Sequence, residues 1–161
     1  MYNPALIFDR YRRLTIASIV TFLVGGFGYY AIEVLYRGFS HVTMWFCGAV
    51  CLLGILLIEW THTESRLIKK ALYSALFITV TELLFGLVFN LWLQYNVWDY
   101  SDVPLNLFGQ ISLPFTLLWF LLSIPALLLC RVVLRAAGLP VGRQKPTRSS
   151  RTSQGTAMRG T

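Results

Sequence analysis

The stretch ALYSALFITVTELLFGLVFNLWL, residues 71–93, decides the fold. It contains no Lys or Arg, and its only charged side chain is Glu82. At about 1.5 Å of rise per residue, a helix of this length crosses a hydrocarbon layer of about 30 Å. Three runs of the same kind lie around it, Leu14 to Leu35, Val42 to Trp60 and Ile111 to Val133. All four are continuous, whereas strands of a membrane barrel alternate over stretches of about ten residues. Bulk composition agrees: 56% of residues are hydrophobic and 13% charged, against about 25% charged in soluble domains. The expected fold is all-α, a polytopic membrane protein with four transmembrane helices spread over 14–135. An arm, 1–13, precedes them, and a basic tail, 136–161, follows.

The basic residues Arg10, Arg12 and Arg13 before the first run raise the question of a cleaved signal peptide. The run is too long for a signal core of about 7 to 15 residues, and no small-residue cleavage site follows, so it reads as a permanent helix. Gly25, Gly26 and Gly28 in that helix, and Pro114 and Pro125 in the fourth, point to kinks or close packing.

Orientation follows from Lys and Arg, which are retained in short cytoplasmic segments. The arm carries three, the first loop one (Arg37), the second loop three (Arg66, Lys69, Lys70), the third none and the C-terminal region seven. The alternation predicts both termini in the cytoplasm, with the loops after helices one and three outside, in the plasma membrane. The formal charge of +7 is thereby accounted for by topology and anionic membrane lipid, which excludes nucleic acid as the expected partner. From Gly138 onward the tail has little to bury and is expected to be disordered. Cys47, Cys51 and Cys130 form no ligand or disulfide pattern, so no metal and no cofactor are expected.

Against this background the polar residues stand out. A carboxylate at membrane depth costs from about 2.5 to over 10 kcal/mol, and Glu82 lies too deep to reach the interface. Glu82, Gly86 and Asn90 at i, i+4 and i+8 draw a polar and small stripe that must face into the bundle, where Gly86 would admit a neighbouring helix. Near the outer end of helix one, Glu33, Arg37 and His41 follow at i, i+4 steps, so a continued helix would place all three on one face unless Gly38 ends it first. The third loop, VWDYSDVPLNLFGQI, joins Asp99 and Asp102 to Trp98, Tyr100, Pro104 and Asn106. These are interfacial aromatics and turn formers, which describe a structured outer loop or a cation-attracting vestibule. No phosphate-binding glycine loop, HExxH, paired-cysteine motif or nucleophile elbow is present, and the chain reads as a non-enzyme.

At IEVLYRGFSHVTMW, at the Glu82, Gly86, Asn90 spacing and above all at VWDYSDVPLNLFGQISLPF, the chain resembles the ABC-transporter type IV, or CmpB-like, family of small bacterial membrane proteins. The matching residues are Glu33, Arg37, Gly38, Ser40, His41, Glu82, Gly86, Asn90, Trp98, Asp99, Tyr100, Ser101, Pro104, Asn106, Gly109 and Gln110. The resemblance implies a permease-like transport component. With no ATP-binding motif in the chain, a true permease of this kind needs a separate ATPase subunit and is expected to form a homo-oligomer. The expected site therefore combines Glu33, Arg37, His41, Glu82 and Asn90 with the loop residues Trp98, Asp99, Tyr100, Ser101, Pro104, Asn106 and Gln110. The competing expectation is a membrane scaffold or regulator whose polar residues fix helix packing.

Overall fold

The computed structural model describes residues 4–141; the expected tail lies, apart from its first residues, outside them. The described residues form four helices long and apolar enough to cross a membrane: α1 (Pro4–Arg37), α2 (Val42–Thr61), α3 (Leu67–Phe85, continued by a π-helical segment, Gly86–Trp92) and α4 (Leu113–Ala136). The long loop between α3 and α4 carries a two-stranded antiparallel ribbon, β1 (Asn106–Leu107) and β2 (Ile111–Ser112). The chain runs up and down, so the α1–α2 turn and the long loop share one end of the bundle. The start of α1, the end of α4 and the α2–α3 turn share the other, where Arg13 Nη1 donates to Ala137 O at 3.5 Å. We call these the loop end and the termini end.

The helix boundaries follow from local chemistry. α1 begins ten residues before the apolar run, because Pro4 suits a first turn and nothing between it and Leu14 breaks a helix. Asp9 supports this extension through Arg12 at 2.9 Å and Arg13 at 2.7 Å, one turn ahead. α1 ends at Gly38, whose φ of +82° a side chain would resist. α4 ends in a Schellman turn. Gly138 takes φ +70°, Leu139 N donates to Leu134 O at 2.9 Å, and both leucines are buried.

Packing uses small residues, as expected where lipid supplies no hydrophobic drive between helices. A Cβ on Gly25 would stand 2.7 Å from Gly48 O on α2, so α1 and α2 touch backbone to backbone. Gly54 in turn admits the Phe77 ring from α3. α2 is the central helix: 50% of its most apolar window is buried inside the bundle, against 22% for α1 and for α4. Leu56, Leu127, Leu134, Ala71 and Cys130 form the core where α2, α3 and α4 meet. Ile16, Phe27, Val80, Leu84, Leu121 and Val132 remain exposed and present the apolar surface that lipid covers.

Candidate functional site

The stripe on α3 does face inward: Glu82 and Asn90 are 4% and 6% exposed, and Gly86 is buried. Its members meet different partners. Glu82 is held by α4, where Trp119 Nε1 donates to its Oε2 at 2.6 Å. One turn away Thr79 Oγ1 donates to Thr116 Oγ1 at 3.1 Å, fixing the antiparallel register of the two helices. Tyr29 of α1 lies against the same indole, ring centroids 6.5 Å apart. One short bond to an indole is a small return for a carboxylate at membrane depth, since an indole is neutral and carries a single donor.

Asn90 sits on the π-helical segment, where the wider turn, marked by Leu93 N donating to Val88 O at 2.9 Å, carries it to the long loop. There it works as a latch. Its Nδ2 donates to Trp98 O at 2.9 Å and to Gln110 Oε1 at 2.8 Å, and its Oδ1 accepts from Val97 N at 2.8 Å. Trp98 Nε1 closes the ring by donating to Gln110 O at 3.0 Å. Gly86 serves this latch, not a helix contact as its spacing suggested. A Cβ there would stand 2.5 Å from Gln110 Oε1, so a larger residue would evict the glutamine.

Glu33 and Arg37, one turn apart, form an ion pair, Arg37 Nη2 to Glu33 Oε1 at 2.8 Å, and Ser40 donates its hydroxyl to Glu33 Oε2. Arg37 Nη1 also donates to Val97 O at 3.0 Å, tying α1 to the long loop. His41 is not on that face. Because Gly38 ends α1, His41 instead caps α2, its Nδ1 accepting from Thr43 N at 3.3 Å, and packs on the Tyr95 ring.

Of the loop residues, Asp99, Ser101, Asn106 and Gly109 serve the loop itself. Asp99 Oδ1 accepts from Ser101 N at 2.8 Å and from Ser101 Oγ at 2.6 Å, and these bonds hold its carboxyl below the usual range. Asn106 Nδ2 donates to Val103 O at 2.9 Å, and Pro104 stays exposed at the tip. Leu105 and Phe108 both take φ of +56°, a region that costs a bulky residue about 1–3 kcal/mol and persists only where the surroundings impose it. Tyr100, like Trp98 and Gln110, turns inward, stacking on Phe115 of α4 with centroids 4.3 Å apart. Burial raises its hydroxyl pKa above the ordinary value, and the Glu82 and Glu33 carboxylates raise it further, so it stays protonated at neutral pH. Tyr100 thus lies within electrostatic reach of both carboxylates.

The most deeply buried charges lie outside the expected site. At the termini end Glu59 is 0% and Lys70 1% exposed. Lys70 Nζ donates to Glu59 Oε2 at 2.9 Å and Arg131 Nε to Glu59 Oε1 at 2.9 Å, joining α2, α3 and α4. Lys70 and Arg131 are both among the basic residues that the Lys and Arg alternation accounts for. The available signal was Glu59 itself, a carboxylate inside the second apolar run.

Among the described residues, then, the protein is a multi-pass membrane protein, a four-helix bundle closed at one end by a latched loop with two carboxylates beneath it. Residues 20–141 match the model of the family described as "Putative ABC-transporter type IV", and the chain belongs to that family. Neither the curated proteins nor the solved structures yielded a match.

Proposed function

We propose that this protein is the permease-like component of a transport system in the plasma membrane, with Glu82 as its intramembrane polar site. The observation that carries the reading is the burial of Glu82 at membrane depth against a single indole donor. A packing role would be served as well by a glutamine, which keeps the hydrogen bond without the charge. Glu33 and Tyr100 extend the polar surroundings of Glu82 toward the loop end, where an ion, a proton or a polar substrate would enter. The alternation of Lys and Arg supports placing that end outside and both termini in the cytoplasm. A separate ATPase subunit would then dock at the termini end, and a homo-oligomer would complete the substrate path.

A scaffold role is the second reading, favoured by a specific observation: Asn90, Gln110 and Arg37 spend their hydrogen bonds on holding the long loop. Complementation of a deletion strain separates the two. Glu82→Gln is expected to abolish complementation at normal protein abundance, and Trp119→Phe, which removes the indole donor, is expected to weaken it. Full complementation by Glu82→Gln at wild-type abundance would place the scaffold reading ahead.

A further inference from the structure

At about 1.5 Å per residue, α1 with its 34 residues is about 51 Å long, whereas the hydrocarbon layer takes up about 30 Å. The surplus lies at the termini end, because α1 stops at Gly38 beside the short turn into α2. With the apolar run centred in the hydrocarbon, its first three turns would stand at the level of the lipid headgroups. They carry Leu6, Phe8 and Tyr11 at 68%, 72% and 66% exposure, an apolar surface suited to the boundary between headgroups and acyl chains.

Against these turns the chain after α4 folds back, and the two border an open groove of about 340 Å³. Leu6, Leu139 and Pro140 line its apolar side, and Asp9, Arg10 and Arg13 its polar side. The charges there are arranged in advance. Asp9 is held by Arg12 at 2.9 Å and Arg13 at 2.7 Å, so its charge is offset twice over. Arg10 lies over the Trp60 ring of α2 at 4.8 Å, which restrains its guanidinium without occupying its donors. In the lining, two arginines against one aspartate leave a surplus of one positive charge, and Arg12, outside the groove, offsets Asp9 further. Gly138 completes the arrangement, since a Cβ on it would stand 2.5 Å from Arg13 Nη1 and displace that guanidinium.

We propose that this groove is a binding site for an anionic phospholipid, its headgroup phosphate received by Arg10 and Arg13 and an acyl chain laid along Leu6 and Leu139. Arginine forks suit phosphate oxygens, and the apolar wall beside them offers an acyl chain a surface that a small soluble anion would leave uncovered. The assignment does not depend on the role of Glu82.

Native mass spectrometry of the intact protein, extracted from vesicles of equal phosphatidylglycerol and phosphatidylcholine, tests it. The wild type is expected to retain phosphatidylglycerol in preference. Arg10→Gln is expected to lower that preference roughly fivefold, as one basic residue near an anionic surface does, and Arg13→Gln similarly. Gly138→Ala is expected to mimic Arg13→Gln. Equal retention of the two lipids by the wild type would overturn the proposal, and so would an unchanged preference in Arg10→Gln, whose exposed helical position makes failure to fold a small risk. Displacement of the lipid by millimolar inorganic phosphate alone would reassign the site to a free anion and overturn it too.

Discussion

Each end of the bundle pairs a glutamate with an arginine, but on different terms. At the loop end Glu33 and Arg37 lie one turn apart on the same helix, with side chains 13% and 25% exposed. Forming α1 brings them together, and nothing else in the fold need exist for the pair to form. At the termini end Glu59 stands between Lys70 and Arg131, three residues from three helices, with Glu59 and Lys70 out of contact with solvent. That cluster exists only when α2, α3 and α4 are assembled. A local, partly hydrated pair contributes a few tenths of a kcal/mol. Members of a buried cluster depend on one another, since removing one leaves a bare charge in a medium that cannot solvate it.

The contrast breaks most readily at Glu59. Glu59→Leu leaves Lys70 buried without a counter-charge and is expected to cost about 3–5 kcal/mol, the range for breaking a buried ion pair. Equilibrium unfolding in mixed micelles would measure it. Adding Lys70→Met to Glu59→Leu is expected to restore most of the loss, because Arg131, 26% exposed, can extend its head toward the interface. A cost below about 1 kcal/mol for Glu59→Leu alone would mean that water already reaches the cluster, and the two ends would then differ in connectivity but not in energy.

The same contrast explains what could be read in the chain beforehand. The four spans and the inward face of Glu82, Gly86 and Asn90 are periodic properties of single helices, so they are visible in one stretch at a time. The pairing of Glu33 with Arg37 is visible for the same reason. The buried cluster is not, because it depends on which helices meet, and residues 59, 70 and 131 carry no mark of their proximity. Lys70 and Arg131 also had a sufficient explanation in topology, and that explanation hid the second. The separation of His41 from Glu33 turned on one backbone angle at Gly38, and the reach of Asn90 to the long loop on a π-helical turn. Neither leaves a periodic trace. The early start of α1 leaves no apolar trace either, because ion pairs of Asp9 with Arg12 and Arg13, and not apolar length, support it.

Arg37 sharpens the comparison from the other side. Arg37→Gln removes the one-turn ion pair and the bond to Val97 O, and is expected to cost about 1–2 kcal/mol, most of it from the charged donor lost to the backbone carbonyl. The effect should be local. Amide exchange is expected to quicken around Val97 and Trp98, where the loop is tied to α1, and to stay unchanged around Glu59 and Lys70. Equal acceleration at both ends would show that the loop-end pair supports the whole bundle and that the division into two regimes is wrong.

The smallest effect belongs to Asp99, a fully local charge whose partners are two atoms of Ser101, at 2.8 and 2.6 Å. Those bonds favour the carboxylate, so the folded-state pKa lies below the value of about 3.9 expected for an unfolded chain. The stabilisation is therefore fully present above about pH 4 and is lost as pH falls through the lowered folded value. Asp99→Asn keeps an acceptor oxygen but no charge, so it should lower the thermal midpoint slightly at pH 7. The gap between the variant and the wild type should then narrow as the wild-type carboxylate takes up its proton. Because every other titrating group is common to the two proteins, the difference curve isolates Asp99. A gap constant from pH 7 down to pH 2.5 would show that the turn reads the shape of the side chain and not its charge. The loop end would then owe its order to Asn90 and Gln110 with no electrostatic part from this residue.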